Sequence, residues 1–377
     1  MAESEGAWLA LVLASGIGPR RIARMNERFG SAANWPAHAD SELAECGLNA
    51  ANIRALRRPD EHALAACRDW LSADHHHLVT LDDEDFPPLL KRIEDPPPAL
   101  FVVGDRDCLL RPQVAIVGSR SATPGGIDHA RTFSDRLARA GFVITSGLAA
   151  GVDATAHQGC LAAGGRTIAV IGTGPDQVYP ARHKKLAHEI MNAGALVSMF
   201  PPGTGVRAGN FPARNRLISG MSLGTLVVEA GLRSGSLITA RLAGEQGREV
   251  FAIPGSVQNP LARGCHQLIR QGARLVESAD EIVEELAPMA AELGDLLREL
   301  LAASDEPGLD NTGPAPNVPL EPEYEHLLEA VGFEPTAVDR IIERSELTTA
   351  EVSSMLLMLE LDGRVVAHPG GRYSRTA

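Results

Sequence analysis

The sequence predicts an α/β protein built on a parallel sheet, and three observations predict it. Short β-rich runs recur at 113–117, 142–145, 167–171 and 225–229, apolar on both sides rather than alternating. Each run breaks at a Gly/Ser turn: Gly118-Ser119-Arg120, Ser146-Gly147-Leu148, Gly172-Thr173-Gly174 and Ser234-Gly235-Ser236. A helical pattern follows each break. Strands buried on both faces and joined through helices are the mark of a parallel sheet with crossovers. Ligands of such sheets bind outside the carboxyl ends of the strands. The four turns are therefore expected to converge on one edge.

Taken in order, residues 1–78 read as a small helical domain rich in Ala and Leu. Within it, Ser15-Gly16-Ile17-Gly18-Pro19-Arg20-Arg21 resembles a helix-hairpin-helix turn, where glycines bring backbone N–H groups and a helix N-terminus to a phosphate. A plain helix–helix connection, with glycines that only relieve strain, explains it equally well. His75-His76-His77 has no further ligand at metal-site spacing and reads as a solvated loop. Residues 79–288 form the core. Pro96-Pro97-Pro98 forces an extended path, and Leu100–Val103 reads as a strand that joins the sheet afterwards. Helices are expected at 130–140, 154–163, 261–271 and 279–286, with further strands at 195–200 and 249–253. Residues 289–320, with Pro307, Gly308, Gly313, Pro314, Pro316 and Pro319, read as a flexible linker. Residues 321–377 read as helices at 324–331, 337–345 and 349–361 and a hairpin at 363–373, the winged-helix layout; Pro335-Thr336 breaks the first pair, and Thr348 or Thr349 caps the third.

With 377 residues the chain is long enough for two or three domains. No apolar run reaches bilayer-spanning length and the N-terminus lacks a signal-peptide layout, which predicts a cytoplasmic protein. Five scattered cysteines without a CxxC pair read as reduced, buried thiols, and neither a metal nor another cofactor is expected. A formal net charge of −13 argues against a surface that coats nucleic acid as a whole, though not against a local basic groove.

The turns carry the chemistry. Gly118, Ser119 and Arg120 offer amides, a hydroxyl and a guanidinium fork to a phosphate. They form neither the GxGxxG fingerprint nor a P-loop. Gly172 and Gly174 make a second such turn, and Ser234, Gly235 and Ser236 a third. Lys184, Lys185, Arg214 and Arg216, with Arg207, Arg233 and Arg241, lie in the neighbouring segments. Any one of these reads as well as a solvated side chain. The set, recurring beside strand ends, reads as a backbone-binding rim. Asp153 and His157, with Ser119 or Ser146, could mimic a hydrolase triad, but there is no GxSxG elbow. Glu229, at the end of its strand, reads as a base or as a partner for Arg216 or a nearby loop.

Together these motifs resemble the DNA-processing protein A (DprA, also Smf) family. The resemblance rests on 117–120, the run Ser146 to His157, Phe211-Pro212-Ala213-Arg214-Asn215-Arg216, 228–230, 234–240, Pro254-Gly255 and 264–273. It covers roughly 80–285 strongly and the flanks by architecture. It implies an extended Rossmann-like core flanked by an N-terminal helical (SAM- or helix-hairpin-helix-like) domain and a C-terminal winged helix. It further implies a non-catalytic protein that binds and protects single-stranded DNA and loads the RecA recombinase in natural transformation, as a homodimer through the core. Arg120 falls on the family's Gly-Ser-Arg motif and is assigned to DNA phosphate. Gly118, Ser119, Gly172, Gly174, Lys184, Lys185, Arg214, Asn215, Arg216, Ser234, Gly235 and Ser236 complete the expected DNA-binding set. One departure is His183, where the family pattern after Tyr-Pro usually has asparagine.

Two further expectations follow from charge and composition. The tail's third helix lies among Glu343, Glu346, Glu351, Glu360 and Asp362, so the tail should contact protein, or DNA only weakly. Aromatic residues make up 4% of the chain, so phosphate contacts should outweigh base stacking. The competing function is a nucleotide-processing enzyme of the phosphoribohydrolase type. Its Pro-Gly-Gly-x-Gly-Thr-x-x-Glu motif survives here only in its later part, Gly224-Thr225 to Glu229. A purely structural adaptor that recruits recombinase is the third.

Overall fold

The computed structural model describes residues 2–14, 16–304, 322–333, 335–345, 347–361, 363–368 and 372–376. The N-terminal domain holds α1 (Ala2–Leu13), α2 (Pro19–Phe29), α3 (Asp40–Glu45), α4 (Ala50–Arg57) and α5 (Glu61–Leu71). The core follows as β1 (His76–Thr80), α6 (Pro88–Lys91), β2 (Ala99–Gly104), β3 (Gln113–Val117), α7 (Pro124–Arg139), β4 (Val143–Ser146), α8 (Val152–Ala162) and β5 (Thr167–Val170). It continues with α9 (Lys184–Ala193), β6 (Ala195–Ser198), α10 (Asn210–Met221), β7 (Gly224–Val227), α11 (Ser236–Glu245), β8 (Glu249–Ala252), α12 (Arg263–Arg270), β9 (Arg274–Leu275) and α13 (Asp280–Ser304).

These strands form one sheet in the order β1-β2-β6-β5-β4-β3-β7-β8-β9. From β6 to β9 every pairing is parallel, and β1 and β2 add an antiparallel edge. The chain therefore builds outward from β3 to β6, then crosses back to lay β7 on β3's other side. Val114 pairs with Ile144 on one flank and Gly224 on the other. One face is covered by α7, α8 and α13 through Phe133, Leu137, Val152, Ile282 and Leu286. The other is covered by α6, α10 and α11 through Leu90, Leu217, Ile218 and Ala240. Burial on both faces is why the central strands read as unbroken apolar runs.

The tail holds α14 (Pro322–Val331), β10 (Thr336–Ala337), α15 (Val338–Ser345), α16 (Thr349–Leu361), β11 (Val365–His368) and β12 (Arg372–Arg375), with β12 central in its sheet. This is the expected winged helix. Thr348 caps α16 in a capping box with Glu351, each accepting the other's backbone N–H at 3.3 and 2.8 Å. The third helix turns inward. Leu357 of α16 packs so closely on Gly294 of α13 that a β-carbon there would strike it. Arg136 of α7 reaches Asp280 at 2.7 Å and also pairs with Glu351.

Four expectations change. His76 and His77 lie on β1, where His76 stacks on Trp70 with ring centroids 4.2 Å apart, so the histidine run is not a solvated loop. The antiparallel edge makes the sheet mixed rather than purely parallel. The helix begun at Asp280 continues to Ser304, so 289–304 is helical rather than linker, while 305–320 lie outside the described residues, as do Ser15, Glu346 and Asp362. Thr336 does more than break the chain: it pairs with Tyr373. The five cysteines are buried and free. Among the described residues no helix is long and apolar enough to cross a membrane.

Candidate nucleic-acid interface

The turn after β3 is pinned from two sides. Ser119 N–H donates to Glu229 O at 2.7 Å, and Val152 N–H donates to Ser119 O at 3.2 Å. This fixes the backbone and leaves Arg120 exposed at the strand edge. Its guanidinium sits over the Phe211 ring, 5.9 Å from the centroid. Phe211 opens α10 and lies against Gly172, where a β-carbon would approach its ring to 3.0 Å. Asn210 holds the same junction by donating to Gly172 O at 3.0 Å. Tyr179, 46% exposed, faces Phe211 at 5.8 Å between centroids. The turns after β3 and β5 thus meet on an aromatic pair roofed by an arginine.

A second set of contacts builds the floor beneath them. Arg214, one helical turn after Asn210, points into the protein and is 4% exposed. It donates to Gly147 O at 2.7 Å and to Val170 O, clamping the ends of β4 and β5. Burial lowers its pKa to about 10, with Arg120 adding to the shift and Asp153 opposing it. Burial likewise pushes the Asp153 carboxyl up, against the pull of Arg214 and of the Ala149 and Gly147 amides. The assignment of Arg214 to phosphate is therefore corrected: its guanidinium is spent inside the fold. Arg216 is also turned away, with a 21% exposed side chain 3.7 Å from Asp95, and Asn215 between them is half-buried. His183 donates to Leu148 O at 2.8 Å and so supports a residue with φ of 57°; the chain's departure at this position is thus a loop-supporting contact. Lys184 and Lys185 follow it, exposed, with Lys185 loosely paired to Glu189 at 3.7 Å.

The other glycine turns differ. Gly174 is buried and its N–H donates to Thr204 O at 2.7 Å. Ser234 and Ser236 share a 2.7 Å hydrogen bond at the start of α11. Ser234 lines a separate groove of about 780 Å³ with Arg233, Arg241 and Gln271, and among the described contacts none joins either serine to Arg120. So of the four turns, those after β3 and β5 meet at Phe211, the one after β4 is tied beneath them by Arg214, and the Ser234 turn lines a different groove. In the N-terminal hairpin, Arg21 donates to Gly47 O at 2.8 Å and to Gly16 O, a structural use, while Arg20 is paired with Glu94 at 3.2 Å.

Among the described residues no nucleophilic set assembles. Ser146 Oγ donates to Ile116 O at 2.6 Å. His157 is fully buried, with Nδ1 2.7 Å from the Thr167 hydroxyl. Burial, helped by His183 and Arg214, lowers its pKa to about 3. Glu229 is 7% exposed and accepts from Thr123 N–H at 2.9 Å, Thr123 Oγ1 at 2.6 Å and Asn259 Nδ2 at 3.1 Å. The residues that sequence reasoning left out of the site are Phe211 and Tyr179. Their only signal was an aromatic beside proline in two loops that flank glycine turns.

Comparison with known proteins agrees with this architecture. The family profile for DNA recombination-mediator protein A matches residues 77–287, and that for the DprA winged helix domain matches 312–371. Protein Smf of Escherichia coli is 43% identical over 90% of this chain and 89% of its own. The X-ray structure of DNA processing protein A from Streptococcus pneumoniae superposes with a TM-score of 0.65 at 36% identity, covering 73% of this chain and 95% of its own. The DNA processing protein A of Helicobacter pylori, whose structure was reported for its single-stranded DNA binding mode, gives a TM-score of 0.50 at 30% identity, covering 61% and 98%. On sequence, domain order and fold, the chain belongs to the DprA/Smf family of DNA-processing, recombination-mediator proteins.

Proposed function

We propose that this protein binds and protects single-stranded DNA and hands it to the RecA recombinase, without cutting it, as a cytoplasmic homodimer joined through its core. The observation that carries the reading is Arg120 held over Phe211 at the meeting of the β3 and β5 turns. A guanidinium beside an exposed tyrosine and a half-buried phenylalanine offers a phosphate contact and a base-stacking platform at one place, the pairing an unpaired strand needs. Lys184 and Lys185 extend the positive charge along the same rim. The relatives' names and the Helicobacter pylori structure support the ligand; recombinase loading and the dimer rest on the family resemblance. The enzymatic alternative is disfavoured by Glu229 and His157, which are both committed to neighbours.

The test is a gel shift with single- and double-stranded oligonucleotides at two salt concentrations. Arg120→Ala should weaken single-strand binding for all sequences. It should also reduce the slope of log K against log salt by about 0.7, one phosphate contact's worth. An unchanged midpoint and slope would overturn the assignment. Sedimentation of the purified chain tests the dimer, and RecA filament formation on coated strands tests loading.

A further inference from the structure

The crevice between β3 and β7 is where this sheet changes direction, since β3 leads to β4 on one side while β7 lies on the other. Open α/β sheets place small ligands at such a point. Here the N-terminus of α7 opens onto it, behind Thr123, which caps the helix by accepting from Gly126 N–H at 3.1 Å. The position facing this helix start is filled. The Glu229 carboxylate takes the Thr123 amide, the Thr123 hydroxyl and the Asn259 side chain. It lies so close over Gly126 that a β-carbon there would collide with it. Among the described residues no Lys or Arg is paired with it. Its partners are neutral donors and a helix start, an arrangement that stabilises any small anion. A cavity of about 190 Å³ adjoins it, lined by Gly125, His129, Gly255 and Ser256.

We propose that Glu229 is a built-in anion: it occupies the phosphate position of the switch-point crevice and closes it to free phosphate and mononucleotides. The polynucleotide is thereby left to the β3–β5 side, where Arg120, Phe211 and Tyr179 stand. The proposal deepens the non-catalytic reading and rests on it for its sense, but its test uses no DNA. A phosphate-loaded crevice with a nearby carboxylate free to move a proton is what nucleotide chemistry would require, and here one group fills the first role and is lost to the second.

Glu229→Ala removes the carboxylate and leaves the Thr123 and Asn259 donors facing a vacated space. Thermal unfolding is measured in inorganic phosphate and in chloride at matched ionic strength. The variant should melt lower than wild type in chloride. Phosphate should raise its Tm by several degrees, on the order of what a millimolar ligand gives, and leave wild type nearly unmoved. Adding Thr123→Val to Glu229→Ala removes the hydroxyl donor and should weaken the phosphate response. Equal phosphate shifts in wild type and the Glu229→Ala variant, or a shift undiminished by Thr123→Val, would overturn the proposal. If Glu229→Ala does not stay folded in chloride, refolding yield becomes the readout: recovery in phosphate supports it, and failure in both buffers sinks it. Loss of oligonucleotide binding by wild type would sink the DNA reading and leave this result standing.

Discussion

Arg120 and Arg214 show how one residue type divides between two jobs. Arg120 sits in the turn after β3 and Arg214 on the second turn of α10; the first is exposed on an aromatic ring and the second is buried on two carbonyls. Burying a guanidinium is unfavourable unless it is paired; here the Gly147 and Val170 carbonyls take Nη1 and Asp153 supplies the opposite charge, while Nε has no partner among the described residues. His157 is the matching case for a base. Its folded pKa of about 3 lies below the ordinary histidine value, so the unfolded chain binds the proton and the folded chain does not. Stability linked to this residue is therefore fully present above pH ~6.5 and is lost as pH falls toward 3. In His157→Gln, where the amide can still donate to Thr167, urea unfolding between pH 7 and 4.5 should fall less steeply. The difference approaches about 1.4 kcal/mol per pH unit at most, one proton's worth. The raised carboxyl of Asp153 acts in the opposite direction but is common to both proteins, so it drops out of the comparison. Parallel curves would show that His157 is not held neutral.

Among the elements, α10 does the most to assemble the interface. Its first turn delivers Phe211 to Gly172, its second sends Arg214 inward, and Leu217 and Ile218 bury its inner face. The strands and their turns were legible because burial on both faces leaves a continuous apolar run, and glycine marks where each ends. The placement of Phe211 was not, since a single aromatic carries no periodic signal. Composition pointed to sparse stacking, yet the fold gathers Phe211 and Tyr179 beside one arginine. Phe211→Ala should therefore weaken single-strand binding by about 1–3 kcal/mol, the value of one stacked base. Unlike Arg120→Ala, it should leave the salt slope nearly unchanged, which fluorescence-anisotropy titrations at several salt concentrations would read. A slope change as large as that of Arg120→Ala would show that the ring acts only by holding the arginine.

In the whole molecule, the tail is docked by the helix that a winged helix would ordinarily lay in a DNA groove. Leu357 of α16 fits over Gly294, Met358 lies against Gly141, and Arg136 ties Glu351 to Asp280. The strand-end interface is at the opposite end of the sheet from this contact, because Gly141 precedes β4 while Arg120 follows β3. Deleting 321–377 should thus leave single-strand affinity within a few-fold of wild type, and it should lower the Tm by uncovering apolar surface on α13. A large loss of affinity would show that the tail holds DNA.

The α/β architecture, the family and the winged helix were all readable from the chain alone, and so was the expectation that a ligand meets the strand ends. Each depends on local pattern: runs, breaks and motif order. Which arginines face solvent, that Glu229 fills the crevice at the switch point, and that α16 faces the core emerge only once the chain is folded. Those outcomes depend on which segments come together across the sheet, and a residue's chemistry is set by the partners it meets there.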